Sequence, residues 1–553
     1  MATPTQRRSQ RAAWALVVVA ALASLLGRLL LARSVVSPFI FQDEGGYVGV
    51  ARLLAGDPPT LYGPAYLPGW GALLAPAAAI LEPGAFQNAA QGLNAVAAAA
   101  VIPVLHLIGT RLAGLRPLLS ARAAVVGGSI AASILQATML LPEALLVLVV
   151  AVGVVLVHRA LETGTVPWSL LAGGAVGASY AVHPRSIVAV LALVLVAVAA
   201  WRAGVLAPRV AAALGGAALL VVLLTQVLHA WATDRLYPAG TMPSLAGSPV
   251  GALGEPIGAA VITAGQTWYL VVATLGLVPL GMLVGARVGW TERGTARGLV
   301  MGFVVLGALG SLALGTIGSY QVGIGTDVSR ADLPVYGRYL EQWVPVLVVL
   351  APALRRRWAW PGILAAAGAS AGIGLALDAV YADAVWEQPI AWHNIASLRV
   401  PVELFGRDHV ATTGLLAAVV MLLLGAAALV RRDRWGWALP LAVIAGLNVF
   451  AGVSLVQEWA GPASEAWAGR HRLGPVLEEV DEVVWVDRDE DLHVYWAYNT
   501  QFWHPDVEVS YFVGDLPDGA GLVLAGESTP PADGGELLGT ERDGDLGLWA
   551  VGS

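Results

Sequence analysis

Long apolar runs recur between about residues 12 and 457 and are separated by short polar stretches. Most approach 20 residues, a length that spans a lipid bilayer as an α-helix with every backbone polar group bonded within the segment. The pattern therefore predicts a polytopic α-helical membrane protein with about thirteen transmembrane helices. Their approximate bounds are 12–32, 86–110, 123–139, 142–157, 168–182, 186–201, 210–231, 259–286, 298–320, 341–354, 358–377, 411–430 and 436–457.

Arginine residues decide the predicted orientation, because short cytoplasmic loops of membrane proteins collect basic residues. Arg7, Arg8 and Arg11 precede the first segment, and nearly every second loop after it is rich in arginine. The N-terminus is therefore predicted inside and the C-terminus outside. The loops 33–85 and 321–340 then lie on the outer face.

The first outer loop carries two shorter apolar pieces. Residues 45–56 are predicted to form a short helix on the outer surface. Residues 66–82 are broken by Pro68, Gly69 and Pro76, so this second piece is interpreted as a re-entrant or interfacial segment.

The pattern changes near residue 461, where acidic residues become frequent and the apolar runs shorten to strand length. Short strand-like runs that alternate with helical patterns indicate a small α/β domain. We therefore predict a transmembrane domain over 1–460 and an extracytoplasmic α/β domain over 461–553. The predicted strands are 483–486, 507–513, 521–525 and 546–551, and the predicted helices are 464–480 and 492–502.

Composition agrees with a multi-pass protein of the cell membrane, since 57% of the residues are hydrophobic and only 12% are charged, about half the charge of a soluble chain. The chain has no cysteine, which excludes disulfides, iron–sulfur clusters and thiolate metal sites. The net charge of −7 is segregated along the chain, and no nucleic-acid partner is expected. The apolar run from Trp14 to Leu31 is too long for a typical signal peptide and is interpreted as a retained first helix.

Ionisable residues gather at the predicted outer ends of these helices. Asp43 and Glu44 follow the first segment, and Glu143 opens the fourth within an apolar stretch. Such groups are costly at a membrane boundary unless they pair or line a wet cavity, so their convergence on one face predicts a site. Further members are His183 and Arg185 in the turn between the fifth and sixth segments, and Asp327, Arg330, Asp332, Arg338 and Tyr339 in the loop before the tenth.

Each of these residues also has a simpler interpretation. Asp43 is a good N-cap for the helix that follows it. Arg185 and Arg338 have stems long enough to reach lipid headgroups. Glu143 is able to pair with Arg185 alone, and His183 stands before a proline as a turn residue.

The run Asp43-Glu44-Gly45-Gly46-Tyr47 after a first helix resembles the acidic first-loop motif of the GT-C glycosyltransferases. It is similar, more narrowly, to the branch that includes protein O-mannosyltransferases and aminoarabinose lipid A transferases. Pro142-Glu143 at a helix start and Gly337-Arg338-Tyr339-Leu340, followed by Pro345, match the same group. The resemblance covers about residues 1–460, and a soluble outer C-terminal domain is also common in the group.

The resemblance implies an inverting glycosyltransferase that moves a sugar from a polyprenyl-phosphate donor to an envelope glycan, lipid or protein at the outer face of the cytoplasmic membrane. Asp43 would be the general base, Glu44 and Glu143 would orient it or hold sugar hydroxyls, and arginines would stabilise the leaving phosphate. The predicted catalytic residues are Asp43 and Glu44, and the predicted substrate-binding residues are Tyr47, Glu143, His183, Arg185, Arg330, Arg338 and Tyr339.

Some members of this group bind a divalent metal near these acids. Asp43, Glu143 and His183 are the candidate ligands here, but their spacing is no metal signature, so no cofactor is predicted.

Two other classes of protein remain open at this point. A multi-span transporter or flippase of a lipid-linked or small polar substrate would carry charges near the midplane and repeated halves, whereas here the charges gather at one face. A binding or assembly protein of the cell envelope would use the acidic C-terminal domain as its working part.

Overall fold

A computed structural model gives the chain as a bundle of α-helices followed by a small C-terminal sheet. The structure describes residues 4–57, 66–236, 256–323, 332–381, 390–406, 409–430, 436–469, 473–477, 483–487, 491–512, 516, 520–526, 531, 535–540 and 546–551. The predicted fold class, a polytopic helical protein with a small C-terminal α/β part, is confirmed.

The helices of the first half begin with a long N-terminal helix, and several start at a proline, which suits a first helical turn. They are α1 Pro4–Ala32, α2 Phe41–Ala55, α3 Pro68–Ala78, α4 Pro83–Arg111, α5 Pro117–Gly128, α6 Ala131–Gln136, α7 Glu143–Thr163, α8 Val166–Val182, α9 Ile187–Arg202 and α10 Pro208–Leu236.

The helices of the second half include two short ones between longer apolar helices. They are α11 Pro256–Ala273, α12 Leu277–Thr291, α13 Ala296–Gly323, α14 Val344–Leu350, α15 Arg356–Val380, α16 Arg399–Phe405, α17 Val410–Val430 and α18 Ala438–Leu455. In the described ranges ten helical stretches are long and apolar enough to cross a membrane, and 166–182, 277–291 and 344–353 are shorter apolar helices. The count of thirteen spans and the orientation stay predictions.

Two predicted segments are interrupted in the structure. The segment 259–286 divides into α11 and α12 at Leu275 and Gly276, whose φ angles of 44° and 82° are left-handed. Both halves still lie along α13, because Gln266 Nε2 donates to Ser319 Oγ at 3.3 Å and Gly285 lies against Val305. They therefore form one broken helix.

The predicted segment 123–139 is also interrupted, between α5 and α6. Asn448 on α18 bonds at both interruptions: its Oδ1 accepts from the Ala131 N–H at 3.0 Å, and its Nδ2 donates to the Ala273 carbonyl at 3.3 Å. A helix break leaves backbone groups without intrahelical partners. The Asn448 side chain is the hydrogen-bond partner of one such group at each break.

Helices α2 and α3 occupy the apolar pieces that the sequence placed in the first outer loop. The predicted short helix 45–56 begins earlier, at Phe41, and α3 contains Pro76. A Cβ on Gly71 would meet Val50 of α2 at 2.7 Å, and a Cβ on Gly69 would meet the backbone of Ala181 at 2.5 Å. The glycines therefore allow α3 to lie directly between α2 and the end of α8.

The C-terminal part forms a five-stranded sheet in the order β2-β1-β3-β5-β4. Strands β2, β1 and β3 are parallel, and β5 is antiparallel to both β3 and β4. The strand β4 is absent from the sequence prediction, since its first three residues are exposed and give no buried run. The elements are α19 Gly461–Ala468, α20 Gly474–Leu477, β1 Val484–Asp487, α21 Asp491–Trp503, β2 Val509–Phe512, β3 Leu522–Gly526, β4 Glu536–Thr540 and β5 Leu546–Ala550.

Candidate active site

Arg338 is the centre of a buried group of charges. Its side chain is 6% exposed, and its guanidinium forms ion pairs with the carboxylates of Asp43 and Glu143. Nε of Arg338 donates to Oε1 of Glu143 at 2.7 Å. Asp43 and Glu143 lie 295 and 195 positions away in the sequence, so tertiary folding alone brings these groups together.

The backbone around Arg338 is fixed by contacts on both sides. The Gly337 N–H donates to the Asn394 carbonyl at 3.1 Å, and a Cβ on Gly337 would fall on the ring of Tyr269. Asp332 accepts from the Ala391 N–H at 2.9 Å and from Asn394 Nδ2 at 2.8 Å. Asp332 therefore anchors the segment that carries Arg338.

Glu143 and Arg185 form the second half of the charged group. Glu143 begins α7, where an acid is favoured by the helix dipole, and its Oε1 lies 3.6 Å from Nη2 of Arg185. The Arg185 side chain is 3% exposed, and its Nε has no hydrogen-bond partner among the described residues. Two cations face two carboxylates, but Nε of Arg185 is an unused donor, and a buried guanidinium of this kind suits an anionic ligand.

Asp43 lies in the first turn of α2 with its side chain 20% exposed. Its Oδ1 accepts from the Tyr66 hydroxyl at 2.6 Å, and its Oδ2 pairs with Arg338. Burial on its own raises the pKa of Asp43, but Arg338, His393 and Tyr66 outweigh that effect and hold the pKa well below its usual range. Asp43 is therefore ionised, and it is not the cap of α2, whose N-cap is Ile40.

Glu44 follows Asp43 in the chain but points elsewhere. Its Oε2 accepts from the N–H groups of Phe39 at 2.9 Å and Ile40 at 2.8 Å, and its Oε1 accepts from the Leu140 N–H at 2.9 Å. Burial raises the pKa of Glu44 to about 7 against these three bonds, which lower it. Glu44 therefore links the start of α2 to the segment that leads into Glu143.

Three ring side chains line one side of this group. The Tyr47 ring is buried and stacks on Tyr66 with centroids 4.5 Å apart and planes 14° from parallel. The His183 ring lies 6.5 Å from Tyr66. Its Nδ1 accepts from the Arg185 N–H at 3.2 Å, and burial together with Arg185 and Arg338 lowers the pKa of His183 well below its ordinary value. His183 is therefore neutral and takes part in the turn, and its part in a site stays a prediction.

Tyr339 and Arg330 are the remaining predicted members. Tyr339 packs against α13, where a Cβ on Gly315 would meet its Cβ at 3.0 Å, and its ring lies 5.5 Å from that of Tyr336. Arg330, like Asp327, lies outside the described residues. The charged group therefore consists of Asp43, Glu143, Arg185 and Arg338, and we call it the arginine cluster.

Two polar residues of this region escaped the sequence prediction. Tyr66 bonds Asp43, but it sits in an irregular stretch with no periodic signal. Glu341 is 5% exposed and accepts from the Tyr269 hydroxyl and from Gln136 Nε2, both at 2.9 Å. The argument that selected Glu143, an acid at the start of an apolar helix, applies equally to Glu341.

A divalent metal does not fit the acids named from the sequence. In the part of the chain that the structure describes, no group of three or more His, Asp or Glu side chains is placed to hold a metal ion. The guanidinium of Arg338 lies between the carboxylates of Asp43 and Glu143, in the place that a cation would take.

The helical bundle with its small C-terminal sheet has an ArnT-like fold, which is the fold that the resemblance to the GT-C glycosyltransferases predicted. The chain is a multi-pass membrane protein. No protein-family model matches the chain, and none of the curated proteins matches it.

Among solved structures, ArnT from Cupriavidus metallidurans in the apo state is similar with a TM-score of 0.52 and 17% identity, over 98% of this chain and 100% of that chain. The same protein bound to undecaprenyl phosphate gives a TM-score of 0.49 and 16% identity, over 97% and 99%. The Archaeoglobus fulgidus oligosaccharyltransferase gives 0.42 and 12%, over 93% of this chain and 69% of that chain. At these identities the likeness is one of fold, so the chemistry has to be argued from the residues of this chain.

Proposed function

We propose that this chain is an inverting glycosyltransferase that moves a sugar from a polyprenyl-phosphate donor to an envelope glycan, lipid or protein at the outer face of the cytoplasmic membrane. The arginine cluster carries the proposal, because it combines an ionised, partly exposed carboxylate with a buried guanidinium that has an unused donor. The ArnT-like fold and the first-loop motif support the same class of reaction.

The cluster supplies the two things that glycosyl transfer from a phosphate requires. Asp43 accepts the proton of the acceptor hydroxyl as its oxygen attacks the anomeric carbon. The bond from that carbon to the phosphate oxygen breaks, and the electron pair leaves with the phosphate. Arg185, assisted by Arg338, stabilises the growing negative charge through charge-assisted hydrogen bonds.

The two arginines have unequal parts in this scheme. Arg338 already contacts both Asp43 and Glu143, whereas Arg185 makes one longer contact, 3.6 Å, with Glu143. Arg185 is therefore the first phosphate ligand, and Glu143 holds the two guanidiniums side by side. Glu44 and Tyr47 fix α2, and His183 fixes the turn that carries Arg185.

The low pKa of Asp43 makes it a weak base until the donor binds, since a general base works best when its pKa is near the working pH. A bound phosphate competes with Asp43 for the N–H groups of Arg338. Losing part of that contact raises the pKa of Asp43, so donor binding strengthens the base. Direct attack without a covalent enzyme intermediate inverts the anomeric carbon.

The test uses purified full-length protein in nanodiscs with a panel of radiolabelled undecaprenyl-phosphate pentoses and hexoses and an envelope extract as acceptor. We expect transfer from at least one donor, with inverted anomeric configuration in the product. Asp43→Asn should lower kcat by about 10²- to 10⁴-fold, and the exposed Asp378→Asn should leave it unchanged. Undecaprenyl phosphate should bind more tightly than undecaprenol, and Arg185→Gln should remove that difference.

Three results would contradict the proposal. They are full transfer by Asp43→Asn, equal binding of undecaprenyl phosphate and undecaprenol, and solute uptake into proteoliposomes without any glycosyl transfer. The last result would favour a transporter.

A further inference from the structure

Arg52 joins the C-terminal part of the chain to the helix that carries Asp43. It stands in the last turn of α2 with its side chain buried, 4% exposed. Its guanidinium donates to the backbone carbonyls of Gln501 and Phe502, the second at 2.6 Å. These carbonyls belong to the last turn of α21, where they have no intrahelical partner and where the helix dipole favours a cation.

The end of α21 packs against α2, α3 and α4. Phe502 is 1% exposed, and its ring lies 5.6 Å from Cζ of Arg52 and 6.4 Å from the ring of Phe86 on α4. Tyr47 and Trp70 belong to the same buried apolar cluster. This contact between α2 and α21, which we call the joint, therefore combines apolar packing of Phe502 with the hydrogen bonds of Arg52. A displacement of α21 would move α2 with it.

Helix α2 carries this contact to the arginine cluster. Arg52 lies nine positions after Asp43, a distance of about 13 Å along a helix axis. Between them Tyr47 stacks on Tyr66, and the Tyr66 hydroxyl donates to Asp43. A shift of α21 relative to the bundle should therefore tilt α2, which carries Asp43.

We propose that Arg52 is a positioning residue through which the C-terminal α/β part sets the place of Asp43. This inference rests on the proposed function and extends it, because it gives the C-terminal part a role in turnover. Without the Arg52 hydrogen bonds, α2 is still held at its start by the hydrogen bonds of Glu44, but its end is no longer held by α21. Asp43 then samples positions from which proton transfer is slow, while the donor still meets Arg185.

The first experiment measures the joint itself and needs no activity. The chain has no cysteine, so spin labels at Ile80→Cys and Leu538→Cys, both exposed positions, report one distance between the turn after α3 and the sheet in nanodiscs. We expect Arg52→Gln to shift or broaden the distance distribution and Arg159→Gln to leave it unchanged. Arg159 is a matched control, because it is 48% exposed and lies over Trp168 on the neighbouring helix.

The second experiment measures turnover. We expect Arg52→Gln to lower kcat about tenfold or more, with the donor KM within about twofold of wild type, since small displacements of a catalytic group have effects of this order. Arg52→Lys, which keeps the charge but replaces the two guanidinium nitrogens by one ammonium group, should lose about threefold. Arg159→Gln should behave as wild type.

The outcomes separate the two proposals. A wild-type protein that transfers no sugar contradicts the proposed function, whereas the label distances still test the joint. Wild-type distances together with wild-type kcat in every folded Arg52 variant overturn the inference, as does a loss confined to the donor KM. If Arg52→Gln fails to fold, Arg52→Lys and Phe502→Leu decide the matter by the same two measurements.

Discussion

Four buried or part-buried carboxylates lie around the segments 43–44, 143 and 338–341, and they divide into two regions. Asp43 and Glu143 face guanidinium groups, whereas Glu44 and Glu341 accept hydrogen bonds from backbone N–H, hydroxyl and amide groups. The first pair forms the arginine cluster, and the second pair links segments of the fold. Adjacency in sequence does not decide membership, since Asp43 and Glu44 are neighbours and belong to different regions.

The difference follows from how burial is compensated. A buried carboxylate that meets a guanidinium keeps its charge, and its removal exposes the opposite charge. A buried carboxylate that meets uncharged donors is close to neutrality, as the raised pKa of Glu44 indicates. The two regions should therefore respond differently to replacement by the uncharged amide, and three measurements test this.

The largest effect is expected at Glu143. Glu143→Gln keeps the shape but leaves Arg185 and Arg338 with the single charge of Asp43, so we expect a loss of about 3–5 kcal/mol in unfolding free energy and at least a hundredfold loss of transfer. Denaturant unfolding of the full chain in detergent measures the stability. Glu162→Gln, 43% exposed at the other end of α7, is the matched control, and equal stability of the two variants would break the comparison.

An intermediate effect is expected at Glu44 and should depend on pH. Its pKa is raised from 4.5 to about 7, so the native state binds this proton more tightly than the unfolded state. The associated stability is complete below about pH 4.5 and is lost as the pH rises through 7, by about 3 kcal/mol in total. Unfolding measured from pH 5 to 8 should show a decline in the wild type that is clearly shallower in Glu44→Gln. A parallel decline in both proteins would show that another group is responsible.

The smallest effect is expected at Glu341. In Glu341→Gln the amide oxygen still accepts from Tyr269, and rotation of the Gln136 amide restores the second hydrogen bond, so we expect less than about 1 kcal/mol and nearly wild-type turnover. Glu341→Ala instead removes the acceptor that Tyr269 and Gln136 share and should cost about 1–3 kcal/mol. A folded Glu341→Gln protein without activity would place Glu341 in the chemistry and end the distinction between the two regions.

The sequence predicts the bundle and much of the arginine cluster, because apolar length and acids in apolar surroundings are local signals. It does not predict the direction of each side chain. Asp43 and Glu44 are separated by about 100° around α2, and only the packed structure tells which of them faces Arg338. The break at Leu275 is hidden for a similar reason, since Asn448, which bonds the Ala273 carbonyl beside it, lies far along the chain.

Contacts between distant parts of the chain are the least predictable. Arg52 reads as the end of a short surface helix, and its partners stand 449 and 450 positions later. The strand β4 was missed because its first three residues are exposed and its pairing depends on β5. In both cases the contact is determined by a distant segment, the end of α21 or β5, and the local sequence pattern does not reveal it.

The separation of 295 positions between Asp43 and Arg338 has a consequence for folding during translation. At 5–20 residues per second, a ribosome needs about 15 to 60 s after making Asp43 before it makes Arg338. By the end of that interval the nascent chain contains Asp43, Glu143 and Arg185, but not yet the guanidinium of Arg338. The contact between Arg52 and Phe502 spans 450 positions and forms later still. The site with all of these contacts is therefore complete only when synthesis is almost finished.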